Sequence, residues 1–169
     1  DYPGCRVVKL FSVSAIPLCS PKLMQGEHPL RSPKDLQFHT LLHDDTKYEG
    51  RPGWKTWLKA AKVKNIDSSR GVHFNHGNLA INAAVDGQGV VLSMKSLASD
   101  DIAAGRLVVP FDFSLPLEYA YYLITLEESS DSSNTTAFRD WLIEEGRQEE
   151  ISNSADQYIA DRPPLKRIK

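Results

Sequence analysis

Residues 72–93 read VHFNHGNLAINAAVDGQGVVLS, and the period of their apolar residues changes partway along. A short apolar run from Gly71 to Phe74 reads as a buried strand and stops at Asn75, a residue type that caps helices by accepting a backbone N–H. From Asn78 the polar residues recur every four positions, at Asn78, Asn82 and Asp86. Leu79, Ala80, Ile81, Ala83, Ala84 and Val85 fill the remaining surface, which predicts a helix covered on most sides. Gly87 supplies a left-handed stop and Gly89 a second flexible point. Val90, Val91 and Leu92 then form the continuous apolar run of a strand buried on both faces. The unit is strand, helix, glycine turn, strand.

Working outward, Arg6 to Phe11 alternates loosely and predicts a strand, and Ala15 to Cys19 continues extended, with Pro17 requiring an edge or bulge. Asp1 to Gly4 reads as a turn, and the start as a cut inside a domain. Ser32 followed by Pro33 announces a short helix, and Phe38 to Leu42 a strand. Pro52-Gly53-Trp54 opens a helix with Trp54, Trp57, Leu58 and Ala61 on one face and Lys55, Lys59 and Lys62 on the other. Its tryptophans read as core, with Trp54 near enough to the helix start to touch a ligand. Met94 to Ala104 is helical and ends at Gly105. Pro116 to Glu127 is apolar or aromatic on both faces and predicts a well-buried strand. After the polar loop Glu128 to Asn134, Thr135 or Thr136 caps a helix whose stripe is Ala137, Phe138, Trp141 and Leu142. Glu149 to Lys169 is polar and reads as a flexible tail.

Composition narrows the function classes. A net charge of −2 and a pI near 6.2 lack the basic excess that holds phosphate backbones, so any DNA contact must come from other residues. The apolar runs are far shorter than the roughly 20 residues of a membrane span, and no leader is visible. Cys5 and Cys19 lack a Cys-x-x-Cys spacing, which points to reduced thiols and a cytoplasmic setting.

Catalytic and metal motifs do not assemble. His39 and His43 have the i, i+4 spacing of a helical metal pair, but on a strand they stand roughly 13 Å apart, which leaves them as solvated histidines. Gly87-Gln88-Gly89 follows a helix, so it is a stop and not a dinucleotide fingerprint. No nucleophile elbow, paired cysteine and histidine, or phosphate loop is present. What remains is Asn75-His76-Gly77, where a helix beginning directly after a strand offers free N–H groups to an anion. Taken alone, Asn75 is a cap and His76 a solvated first-turn residue.

A longer pattern adds to this. Phe74-Asn75, the small and apolar run to Ala83-Ala84, Gly87-Gln88-Gly89-Val90, then Leu97, Ile102 and Ala104-Gly105-Arg106-Leu107 resemble the effector-binding domain of LysR-type transcriptional regulators. Tyr121-Tyr122-Leu123-Ile124-Thr125 and Ala137-Phe138-Arg139-Asp140-Trp141-Leu142 look most like the glycine-cleavage-activator subgroup, which includes regulators of β-lactamase expression. The resemblance covers Asp1 to about Glu149.

It implies an α/β fold of periplasmic-binding-protein type: two subdomains joined by crossover strands, with a cleft between them and the first subdomain incomplete. Residues 1–14 would be the outgoing crossover, 15–114 the second subdomain, 115–149 the returning strand and helix, and 150–169 the tail. It further implies a small effector, anionic or amino-acid-like or a peptide fragment, sensed without a cofactor or metal. The effector would be met by Phe74, Asn75, His76, Gly77, Tyr122 and Thr125, in a cytoplasmic dimer or tetramer that reaches DNA only through an absent helix-turn-helix domain. The alternatives are a solute-binding receptor of the same architecture and an enzyme with this fold, such as a deaminase of porphobilinogen type, which lacks its acid and nucleophile here.

Overall fold

The computed structural model describes residues 2–46, 53–127 and 133–160, with side chains as far as residue 151. Pro52, residues 128–132 of the expected polar loop and residues 161–169 of the expected tail lie outside the described residues. Nine elements of regular structure are named: β1 (Cys5–Cys19), β2 (Leu41–Asp44), α1 (Trp54–Ala60), β3 (Val72–Phe74), α2 (Gly77–Val85), β4 (Val90–Met94), α3 (Ser99–Ala103), β5 (Leu115–Leu126) and α4 (Ser133–Ala160), with short 3-10 turns between some of them. The chain divides into two compact units, one of residues 1–13 and 118–169 and the other of residues 14–117, so β1 and β5 each belong partly to both.

In the unit of residues 14–117 the ladder runs β3-β2-β4-β1. β2 pairs parallel with both β3 and β4, and β4 pairs antiparallel with β1, Pro17 standing opposite Leu92. The expected edge position for Pro17 is not found: β1 has β5 as its other neighbour in the sheet, and on the side away from β4 the Cys19 N–H donates to the Val108 carbonyl at 3.1 Å. Adjacent residues on a strand face opposite sides, and the core records it. Leu42, Val91 and Leu18 join Ala80, Ile81 and Ala84 of α2 in one cluster. Their neighbours Leu41, Val90 and Cys19 join Trp54, Trp57 and Leu58 of α1 in the other. The sheet is therefore covered by α2 on one face and α1 on the other. The amphipathic reading of α1 holds: both tryptophans and Leu58 are buried while Lys55 and Lys59 are exposed.

Several local expectations are corrected. The strand predicted at Phe38 to Leu42 lies later, at Leu41–Asp44, because Pro33–Phe38 forms a 3-10 turn secured by Asp35, whose carboxylate accepts the Ser32 N–H at 2.7 Å. Pairing begins where the Val90 N–H reaches the Thr40 carbonyl at 2.9 Å. β3 is an exposed edge strand and not a buried one, with Val72 46% accessible. The histidines are not simply solvated. His39 is buried, its Nε2 2.9 Å from the His28 carbonyl, and His43 stacks on His73 with ring centroids 4.1 Å apart. Burial pushes the His39 imidazole below its usual pKa, against the opposing pull of the His28 carbonyl.

In the other unit, β1 and β5 are neighbours. The Glu127 N–H donates to the Gly4 carbonyl at 3.0 Å, and Phe11 packs on Tyr121 with centroids 4.8 Å apart, so the strands run antiparallel. α4 lies against β1. A Cβ on buried Gly146 would stand 3.1 Å from that of Leu10, and the Glu150 carboxylate accepts the Ser12 hydroxyl at 3.0 Å. The helix begins at Ser133, ahead of Thr135, and continues to Ala160 through the first part of the expected tail. Its apolar stripe is split: Leu142 and Ile143 are half-buried, whereas Phe138 and Trp141 are 59% and 54% exposed. β5 is likewise not well buried, with Tyr122, Ile124 and Leu126 open on one face.

Candidate ligand site at the carboxyl ends of the strands

Because β2, β3 and β4 are parallel, their carboxyl ends fall along one edge of the sheet, with Asp44 directly opposite Phe74. Three chain segments leave from this edge: Asp44-Asp45-Thr46, Asn75-His76-Gly77, and Lys95-Ser96 after β4. The first two are tied together. The Asp45 N–H donates to the Phe74 carbonyl at 2.8 Å, and the Thr46 hydroxyl lies 3.5 Å from the Asn75 carbonyl while also donating to Asp44. On the same strands Asp45 holds the His73 ring through Nδ1 at 2.9 Å.

The start of α2 differs from expectation in a way that bears on binding. The position before its first turn is His76, in extended backbone (φ −142°, ψ 131°), and no side chain caps the helix. Asn75 is exposed and is not a cap. Within the first turn, only Leu79 and Ala80 send N–H groups back to the His76 carbonyl, at 3.1 and 3.4 Å. Among the described residues the N–H groups of Gly77 and Asn78 have no partner. Two orphan donors at the positive end of a nine-residue helix suit a carboxylate.

Phe74, Asn75, His76 and Gly77 are thus brought together with Asp44 and Thr46, which sequence reasoning passed over because the preceding strand was placed three residues early. Asp-Asp-Thr immediately after Leu41-Leu42 was the available signal. Trp54 is buried, its indole N–H donating to the Leu42 carbonyl at 3.1 Å. It lines a depression of about 80 Å³ with His43, Asp44, Asp45 and Leu92. That volume is well below the 300–1,000 Å³ usual for metabolite pockets. Tyr122 and Thr125 belong to β5 in the other unit and, three residues apart on a strand, face opposite sides. Among the described residues no cluster of three metal-ligating side chains occurs.

The fold is an α/β one, with parallel strands and a helix start at their carboxyl ends, in a chain of two units threaded by two shared strands. The LysR substrate binding domain family matches residues 1–147, and the chain belongs to it. It is 37% identical over 150 residues to the glycine cleavage system transcriptional activator of Escherichia coli K12, covering 89% of this chain and 48% of that protein. It is 31% identical to the transcriptional activator AmpR of Providencia stuartii, over 85% of this chain and 46% of that one. The chain spans about half the length of these curated relatives. Among solved structures, the effector domain of AmpR from Pseudomonas aeruginosa superposes with a TM-score of 0.65 at 27% identity, covering 90% of this chain and 71% of that one. The regulatory domain of AphB from Vibrio vulnificus shares the fold, with a TM-score of 0.60 at 22% identity over 85% of this chain and 71% of that one. The glycine cleavage activator and the two AmpR proteins are named as transcriptional activators or regulators. No helix among the described residues is long and apolar enough to cross a membrane.

Proposed function

We propose that this chain senses a small amino-acid-like effector for a cytoplasmic LysR-type regulator, whose DNA-binding helix-turn-helix lies outside these residues. The observation that carries the reading is the uncapped start of α2, where the N–H groups of Gly77 and Asn78, beside the Asp44-Asp45-Thr46 segment, have no partner among the described residues. A carboxylate at the helix start and an ammonium near the aspartates would together select a zwitterion. Phe74, Asn75 and His76 would flank the ligand. The resemblance adds Tyr122 and Thr125 of β5 as further candidates.

In this reading residues 15–114 form the complete second subdomain, and residues 1–14 with 115–149 are part of a first subdomain. Support comes from the open faces of β5 and α4, since contiguous apolar patches of this kind are rare on finished monomers. The regulator would work as a homodimer or homotetramer, the effector changing the arrangement that presents the DNA-binding domains.

The test uses the full-length regulator, screened by thermal shift against the proteinogenic amino acids and short-chain mono- and dicarboxylates. Stabilisation by an amino acid that the matching amine and the matching acid do not reproduce supports the proposal. Equal stabilisation by simple carboxylates, or none by any compound, defeats the zwitterion reading.

A further inference from the structure

In the 14–117 unit, α1 and the segment after it line a concavity of about 370 Å³. Its rim carries Lys55, Lys59, Lys62 and Lys64, all exposed. Among the described residues none of the four makes an ion pair. The next carboxylate along the chain, Asp67, is engaged by the Ser69 N–H and hydroxyl at 2.9 and 2.6 Å. The floor is apolar: Leu58 is buried, and Val63 and Ile66 are half-buried.

This clustering has a cost. Lys55 and Lys59 stand one helical turn apart, a spacing at which like charges destabilise a helix. Lys62 occupies the left-handed region at φ 56°, which a lysine adopts reluctantly. Its N–H reaches the Lys59 carbonyl at 3.1 Å and the Val63 N–H the Leu58 carbonyl at 2.9 Å, so the chain turns back and brings Lys64 to the same rim. The negative end of α1 accounts for one or two cations in its last turn. Four around an apolar floor, on a chain of net charge −2, exceed that need.

We propose that this concavity docks an acidic segment of a partner protein, one that carries apolar side chains among its carboxylates. Charge complementarity sets the sign of the partner, and the floor sets its kind. A nucleic-acid backbone would satisfy the lysines but leave Leu58, Val63 and Ile66 facing phosphate and sugar. An acidic amphipathic segment uses both. The size of the concavity implies a transient contact whose rate and salt dependence come from the lysines.

The experiment uses the whole chain and a short fluorescein-labelled peptide alternating glutamate and leucine, read by fluorescence polarisation, with amide shifts by NMR to locate the contact. Binding should perturb Lys55 to Ser68. Exchanging Lys55 and Lys59 for glutamate should weaken binding about tenfold or more, while Lys22→Glu with Lys34→Glu, the same charge change at exposed sites elsewhere, should alter it less than about twofold. If circular dichroism shows the double variant misfolded, Lys62→Ala with Lys64→Ala replaces it. Equal binding of polyglutamate of the same length, stronger binding of duplex DNA, or unchanged affinity in the lysine variants would each overturn the proposal.

Discussion

Gly71 lies so close to Leu41 that a Cβ built on it would sit 1.9 Å from the Leu41 carbonyl oxygen, and Gly71 also holds φ 125°. Clash and backbone strain act together here, so Gly71→Ala should cost about 3 kcal/mol or more. The contact presses the entry to β3 against β2, which sets the register that places Asn75 beside Thr46. Gly53→Ala is the control: its backbone is ordinary (φ −86°) and nothing lies within 4 Å of the new methyl. Because Gly53 is the N-cap of α1, where alanine is poorer than glycine, the exchange should cost about 1 kcal/mol or less in urea denaturation, well short of Gly71→Ala.

The buried His39 makes stability depend on mild acid. Its folded pKa is lowered, chiefly by burial, so between its unfolded and folded values the unfolded chain binds the extra proton. Stability should therefore be full above the ordinary histidine range and fall as pH drops through it, levelling once the folded pKa is passed. His39→Gln removes the titrating group. Urea midpoints measured from pH 8 to 5 should decline less steeply in the variant; an unchanged slope would assign the effect to other groups.

The two cysteines should respond very differently to a thiol reagent. Cys19 is fully buried, and burial pushes its pKa up to about 12, so almost no thiolate is present at neutral pH. Cys5 is half-buried at the other end of the same strand, where the reagent can reach it. Ellman's reagent should titrate one thiol in the native chain and the second only in denaturant. Prompt reaction of both would show that the β1–β4 ladder opens readily.

How far the sequence disclosed the fold depended on whether a signal was local. The central unit was legible because helix period, Gly87 and the Val90-Val91 run all agree, and α1 because two tryptophans and three lysines sort cleanly by face. The start of β2 was not, since Phe38 and Leu42 alternate like strand residues while Pro33–Phe38 is still turning. Nor could composition show that the apolar residues of β5 and α4 would be open, because an apolar side chain predicts that a surface is covered but not by what. At the candidate site, Asn75 and Gly77 were visible as helix-start residues. The roles of Asp44 and Thr46 arise only from the parallel register of β2 and β3, a long-range fact with no local signature.

The exposed face can be followed through tryptophan emission. Trp54 and Trp57 are buried, whereas Trp141 is 54% exposed and lies 5.7 Å from Phe138, itself open. Iodide should quench only part of the emission of this chain, and Trp141→Phe should remove the quenchable part. If the rest of the proposed first subdomain covers α4, Trp141 in the full-length regulator should resist iodide and emit at shorter wavelength. Continued quenching would leave this face to another partner.

The start of α2 gives the sharpest test of effector binding, and the geometry changes what each variant means. Since Asn75 does not cap α2, Asn75→Ala should leave the unliganded protein within about 0.5 kcal/mol, instead of the loss of about 1 kcal/mol expected for a cap. Gly77 is the first helical residue and does not use positive φ, so a valine there keeps an allowed backbone while placing a branched side chain beside the orphan N–H groups. A carboxylate at this helix end gains about 0.3 to 1 kcal/mol from the dipole, up to about 2 when partly buried. That orients the ligand but supplies little of the roughly 8 kcal/mol that micromolar affinity requires. Steric exclusion, in contrast, removes the pose altogether. In the full-length regulator, with the strongest stabiliser from the amino-acid screen as probe, Gly77→Val should therefore weaken binding by well over tenfold. Asn75→Ala should weaken it only severalfold, with the unliganded melting temperatures of both close to the parent. Calorimetry reads both constants, and an unaltered affinity in Gly77→Val would move the effector away from the start of α2.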